Sequence, residues 1–119
     1  MPMILIHNWD RRHDATEVRR CAQELRKACL RFEGLGLTEE TDVTVCLGST
    51  ALDPDPKDPL VILVDLLYER PERTLELRQE LAAWLGNVCR IALPWGTNDR
   101  MVEVFIRVFN PAVEAAWVG

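Results

Sequence analysis

Acid–base chemistry on a small anion is within reach of a few residues of this sequence: the proline at position 2, and the arginines of two charged turns, Arg11-Arg12 and Arg70-Pro71-Glu72-Arg73. With the initiator methionine removed, Pro2 is an N-terminal secondary amine at the start of the apolar run Met3-Ile4-Leu5-Ile6. An α-amino group has an unperturbed pKa of roughly 8. Burial among apolar side chains and nearby guanidinium groups both disfavour its protonated form, lowering that value towards neutrality. A neutral secondary amine in a dry pocket abstracts a proton next to a carbonyl, or attacks the carbonyl itself. Arginines beside it would hold a substrate carboxylate by bidentate hydrogen bonds and favour the enolate that develops. Taken singly, each residue has an ordinary reading: many chains carry proline second, and Arg11 and Arg12 suit a solvent-facing turn. The organisation of the chain gives their conjunction its weight.

The elements that must position these residues fall into two similar halves. Met3 to Ile6 is apolar at consecutive positions, which predicts a strand buried on both faces. Asp14-Ala15-Thr16-Glu17 has capping-box spacing and opens a helix. Its apolar stripe is Val18, Cys21, Ala22, Leu25, Ala28, Cys29 and Phe32, and Gly34 and Gly36 end it. Asp42 to Leu47 reads as a second strand. A segment rich in proline and aspartate, Gly48 to Pro59, is a connector of extended backbone. The pattern then restarts. Leu60 to Tyr68 is a long buried strand, Glu69 to Arg73 a charged turn, and Thr74 the cap of a second helix. Leu77, Leu81, Trp84, Leu85 and Val88 form that helix's apolar face. After a loop at Pro94 to Asn98, Met101 to Phe109 alternates as the fourth strand. The expected fold class is α+β: tandem β-α-β units, about 1–50 and 59–110, in a single domain spanning 1–119. Right-handed crossovers put both helices on one face of a four-stranded mixed sheet. The other face is too apolar to meet water, and self-association is the solution that needs no further chain.

Composition narrows the function classes. The formal net charge is −5, so there is no basic excess to track phosphates, and a nucleic-acid partner is not expected. Cys21, Cys29, Cys46 and Cys89 form no C-x-x-C pair, and His7 and His13 supply no zinc spacing. Cys21 and Cys29 lie on the helical stripe and read as core thiols of a reducing compartment. His7 reads as a satisfied strand residue and His13 as a turn residue. The longest apolar run, Leu60 to Tyr68, is too short for a bilayer and contains Asp65, and no basic region followed by an apolar one opens the chain. A cytoplasmic protein without a membrane partner is expected.

Pro2, the strand Ile4-Leu5-Ile6-His7 and Arg12 before a capped helix resemble, in order and spacing, the opening of the 4-oxalocrotonate tautomerase branch of the tautomerase superfamily. Arg70-Pro71-Glu72-Arg73, between a buried strand and a helix, resembles the paired arginines of the cis-3-chloroacrylic acid dehalogenase and malonate semialdehyde decarboxylase branches. Length and the Asn-Pro-Ala…Trp-Val-Gly ending are similar to the macrophage migration inhibitory factor branch. The resemblance implies a homotrimeric keto-enol tautomerase without cofactor or metal. Pro2 would be its catalytic base and Arg12, Arg70 and Arg73 its binding residues for a small keto or enol carboxylate. It also implies two alternatives. Hydration, dehalogenation or decarboxylation of small acids needs a positioned carboxylate, and Asp42 and Glu114 lie near the right regions, neither assigned. A non-catalytic oligomeric or ligand-binding protein of the same fold is the other, because Thr44 and Glu103 stand where the resemblance implies strand arginines. A ferredoxin-like regulatory domain also has tandem repeats, but fits the continuous apolar opening strands less well.

Overall fold

A computed structural model describes residues 2–9, 15–48, 52, 58–92, 101–115 and 117. Strand β1 is Met3–His7, helix α1 Ala15–Arg31, strand β2 Thr44–Leu47, strand β3 Leu60–Tyr68, helix α2 Leu75–Ala92 and strand β4 Val102–Phe109. Two short 3-10 turns, Glu33–Leu35 and Glu40–Asp42, fill the passage from α1 to β2. The mixed sheet has five strands, not the expected four; the four among the described residues run in the order β2-β1-β3-β4. β1 pairs parallel with β2, and β3 parallel with β4. The halves join by antiparallel pairing of β1 with β3, making the sheet mixed. The fold class is α+β with two helices, as the periodicity predicts.

One core unites the halves. Cys21, Leu25, Ala28 and Cys29 recur on the buried stripe of α1, and Leu81, Leu85 and Cys89 on that of α2. They meet Ile4, Ile6, Leu60, Ile62 and Val64, the inward residues of β1 and β3. Each aliphatic side chain removed from water here contributes about 1.5–3 kcal/mol before ordering costs. Gly86 lets α2 approach β4, since a Cβ there would meet Val104 Cγ2 at 3.5 Å. Arg20 ties the helices by donating from Nη2 to the Ala92 carbonyl at 3.1 Å, where the end of α2 favours a cation. Buried Cys21 and Cys89 face each other closely enough for the contact, with desolvation, to raise the Cys21 pKa, and burial pushes the Cys29 thiol up to about 12. These are inert core thiols.

Several expectations shift. Trp84 is 42% exposed rather than core; it sets its ring edge-on to Phe32 at a centroid distance of 6.3 Å. Asp42 and Val43 precede the second strand, because Asp42 is drawn into a 3-10 turn. The first helix stops at Arg31, and Gly36, at φ +66°, ends the following turn instead. Burial of β1 on both faces does not hold within one chain: Ile4 and Ile6 are buried, while Met3, Leu5 and His7 are half-buried. Phe105 on the same open face is 52% exposed, and Asp65 pairs with Arg107 there. Thr74 does cap α2, accepting the Leu77 N–H at 3.2 Å. The Asp14 cap and the Pro94 to Asn98 loop lie outside the described residues. Among the described residues no helix is long and apolar enough to cross a membrane.

Candidate functional site

Pro2 sits one residue before β1, buried, with its carbonyl accepting the Thr44 N–H at 3.2 Å. Proline is tolerated here because the first residue of a strand owes the ladder no donor. Antiparallel pairing sets the start of β1 against the end of β3, with Met3 opposite Asp65. β3 continues past that point, and a bulge interrupts its register with β4 between Val64 and Leu67. The extra residue reverses the alternation, so Leu67 turns into the core at 1% exposure and Tyr68 turns out at 41%. Tyr68 then meets Phe109 edge-on, with ring centroids 5.5 Å apart.

The chain around Pro2 encloses a cleft of about 150 Å³. Pro2, Leu67 and Tyr68 line it from the sheet; Leu35, Gly36, Leu37 and Asp42 from the turns after α1; Arg70 and Arg73 from the turn after β3. Gly36 takes the left-handed conformation in this wall and leaves it without a side chain. Pro2 and two of the three expected arginines therefore share one cavity. Arg12 lies outside the described residues.

The two arginines do different things. Arg70 is exposed, and among the described residues its guanidinium has no hydrogen-bond or ion-pair partner. Arg73 is only 8% exposed. Its Nη1 donates to the Tyr68 carbonyl at 2.6 Å and its Nη2 to the Leu35 carbonyl at 2.9 Å, while its buried Nε has no partner. Burial lowers its pKa, with repulsion from Arg70 adding to the effect and Glu72 opposing it; an arginine stays protonated regardless. Arg73 is thus a clamp that fastens the end of β3 to the turn after α1, and it adds positive potential to the cleft. Arg70 is the cation with free donors for a ligand.

Asp42, which sequence reasoning left unassigned, is the cleft's carboxylate. Its Oδ2 accepts the N–H groups of Thr38 and Glu39, each at 3.0 Å, and the Thr38 hydroxyl at 3.3 Å. The Glu39 amide, then the Thr38 amide, hold its pKa below the usual carboxylate range. The signal was legible as Thr38-Glu39-Glu40-Thr41-Asp42, a cap spacing with an acid at its end. Nothing in sequence marks Tyr68, Leu35 or Leu37 as cleft residues. Glu114 does not line the cleft; it accepts the Asn110 N–H at 3.2 Å in the C-terminal turn. Glu103 stands opposite Val61, which also pairs with His7 at the far end of β1 from Pro2.

Solved structures share this architecture. A fused 4-OT protein in a symmetric trimer matches with a TM-score of 0.65 at 18% identity, over 91% of this chain and 85% of that one. A 5-carboxymethyl-2-hydroxymuconate delta-isomerase matches with 0.63 at 17% identity, over 100% of this chain and 89% of its own. A malonate semialdehyde decarboxylase inhibited by 3-bromopropiolate matches with 0.56 at 17% identity, over 89% and 83%. No protein-family model and no curated protein sequence matches the chain.

Proposed function

From the tautomerase-superfamily fold of this chain, we propose that it is a tautomerase-like isomerase in which the Pro2 amine, freed by removal of Met1, moves a proton on a small keto or enol carboxylate. The observation that supports this most is the shared cleft of Pro2, Arg70 and Arg73. Arg70 takes the carboxylate with its free donors, and Arg73 supplies positive field and holds the wall. Both cations, with burial, keep the amine neutral enough to accept a proton. As charge develops on the enolate oxygen, the same field lowers the barrier. β1 leads away from Pro2, and Arg12 follows its other end in sequence. In the proposed homotrimer Arg12 therefore serves the cleft of a neighbouring copy, and the open face around Leu5, Leu63 and Phe105 is where copies meet.

Three measurements bear on this reading: mass spectrometry for loss of Met1, sedimentation for a three-chain particle, and ketonisation of phenylpyruvate or 2-hydroxymuconate. Pro2→Ala is expected to lower kcat by about 10²–10⁴, the usual contribution of a positioned base. Turnover unaffected by that substitution rules out the amine. Asp42 favours a second reading, hydration, dehalogenation or decarboxylation of a small acid, because an ionised carboxylate in the Pro2 cleft could orient water. Turnover of a 3-haloacrylate or of malonate semialdehyde that is lost in Asp42→Asn, with ketonisation retained, would select it.

A further inference from the structure

The bulge in β3 carries an ion pair whose place in the fold bears on the Pro2 cleft. Val64 pairs with Ile106 and Leu67 with Val108, so between them two residues of β3, Asp65 and Leu66, stand opposite one residue of β4, Arg107. The ladder is interrupted there, and Arg107 Nη2 crosses the interruption to Asp65 Oδ2. What β3 gives to the cleft lies just beyond: Leu67 and Tyr68 line it, and the Tyr68 carbonyl accepts from Arg73 Nη1. On its other side Asp65 is opposite Met3, the residue after Pro2. One ion pair therefore joins β4 to the stretch of β3 that adjoins the start of β1. Neither of its members lines the cleft.

The first half offers a contrast. Its register runs unbroken from Met3 with Thr44 to Ile6 with Leu47, through residues that include no Asp, Glu, Lys or Arg. In the second half the pair stands beside an apolar row of Leu5, Leu63 and Phe105. A water-exposed ion pair does little for global stability. Its effect is local, because a strand end past an interrupted ladder opens more readily than the strand's middle.

We propose that Asp65 and Arg107 are a positioning pair for the Pro2 cleft: by tying β3 to β4 across the bulge they fix the strand end that carries Leu67 and Tyr68, and through the Tyr68 carbonyl they steady Arg73. The effect on turnover rests on the reading of Pro2 as base; the effect on the cleft wall does not.

Amide hydrogen exchange followed by NMR tests this on two bonds of the same kind. The Glu69 N–H donates to the Phe109 carbonyl and the Leu60 N–H to the Met101 carbonyl, each at 2.9 Å, the first beyond the bulge and the second at the opposite end of β3. In Asp65→Asn and in Arg107→Gln the Glu69 amide is expected to exchange about fivefold faster, the share of an exposed ion pair, with Leu60 unchanged. Reversing the charges, Asp65→Arg together with Arg107→Asp, is expected to restore slow exchange. For an acid that the protein turns over, kcat/KM should fall about tenfold in the single variants, as a displaced wall implies, and recover in the reversed pair. Glu69 exchange unchanged in the single variants, rates raised equally at both amides, no recovery on charge reversal, or turnover indifferent to the pair overturns the proposal. Where no acid is turned over, the exchange rates alone decide. Pro2→Ala keeps the two readings apart. Turnover lost in that variant, with Glu69 exchange indifferent to the pair, leaves the base and removes the positioning pair; turnover that survives it, with Glu69 exchange responding to the pair, does the reverse.

Discussion

The two β-α-β halves are built alike and end differently, and the cleft lies where the difference falls. In the first half, the passage from α1 to β2 is long and contains both 3-10 turns, which bring Leu35, Gly36 and Asp42 to the cleft. In the second, the turn from β3 to α2 is short and brings Arg70 and Arg73. Because β1 and β3 run antiparallel, the start of one half adjoins the end of the other half's first strand. Pro2 therefore shares its cleft with the arginines of the second half, while the charged segment of its own half follows the opposite end of β1 in sequence. A repeat joined in this way makes a composite site from two unlike contributions; two identical half-sites would need identical turns.

The largest test of that view concerns the core beneath both halves. Leu25 of α1 and Leu81 of α2 are each fully buried, and Leu25→Ala and Leu81→Ala should each cost about 2–5 kcal/mol by the size of the cavity left. If the halves share one core, urea unfolding followed by far-ultraviolet dichroism and by tryptophan fluorescence gives a single coincident transition for both variants. Two separated transitions, one moved by each substitution, would mean halves that fold independently.

A smaller effect separates the two arginines of the second half. Arg73→Ala strips donors from the carbonyls of Tyr68 and Leu35, and leaving such buried acceptors unsatisfied costs about 1–3 kcal/mol. Arg70→Ala removes a side chain without a partner in the described structure, so stability should stay within about 0.5 kcal/mol. In kcat/KM for an acid substrate it should fall about ten- to a hundredfold, the share of a charged hydrogen bond. Denaturation midpoints and kinetics on the same two proteins give the comparison. Equal stability losses would dissolve the distinction between clamp and ligand.

Much of this was legible in the residues. Apolar periodicity gives both helices their buried faces, and Thr74 announces the cap it forms. Pro2, Arg70 and Arg73, singled out by residue type and spacing, line one cleft. What escapes the sequence is tertiary in origin. Leu60 to Tyr68 is apolar almost throughout, so nothing in it distinguishes Leu66 from Leu67 as the inward residue; only the register with β4 locates the bulge. Arg73 reads as a ligand residue because its charge is visible, while the carbonyls that occupy it belong to Tyr68 and to Leu35, the latter 38 positions away. Trp84 fits its helix's apolar face by spacing but is 42% exposed, with its ring edge-on to Phe32.

The smallest expected effect concerns the first half's own contribution, the carboxylate of Asp42. The amides of Glu39 and Thr38 depress its pKa in the folded protein, so the folded state holds its proton less tightly than the unfolded chain, where an aspartate titrates near about 3.9. Above that unfolded value the stabilisation is fully present; as pH falls through the lower folded value it is lost. The stability gap between wild type and Asp42→Asn should accordingly be widest near neutrality and close in acid, and thermal unfolding at a series of pH values would trace it. The second half has no counterpart: its cap is the uncharged Thr74, so Thr74→Ala should lower stability by about 1 kcal/mol equally at every pH. A gap for Asp42→Asn that stays constant down to strongly acidic pH would mean that the carboxylate's charge does nothing for the turn. The first half would then bring to the cleft a shape but no anchored anion.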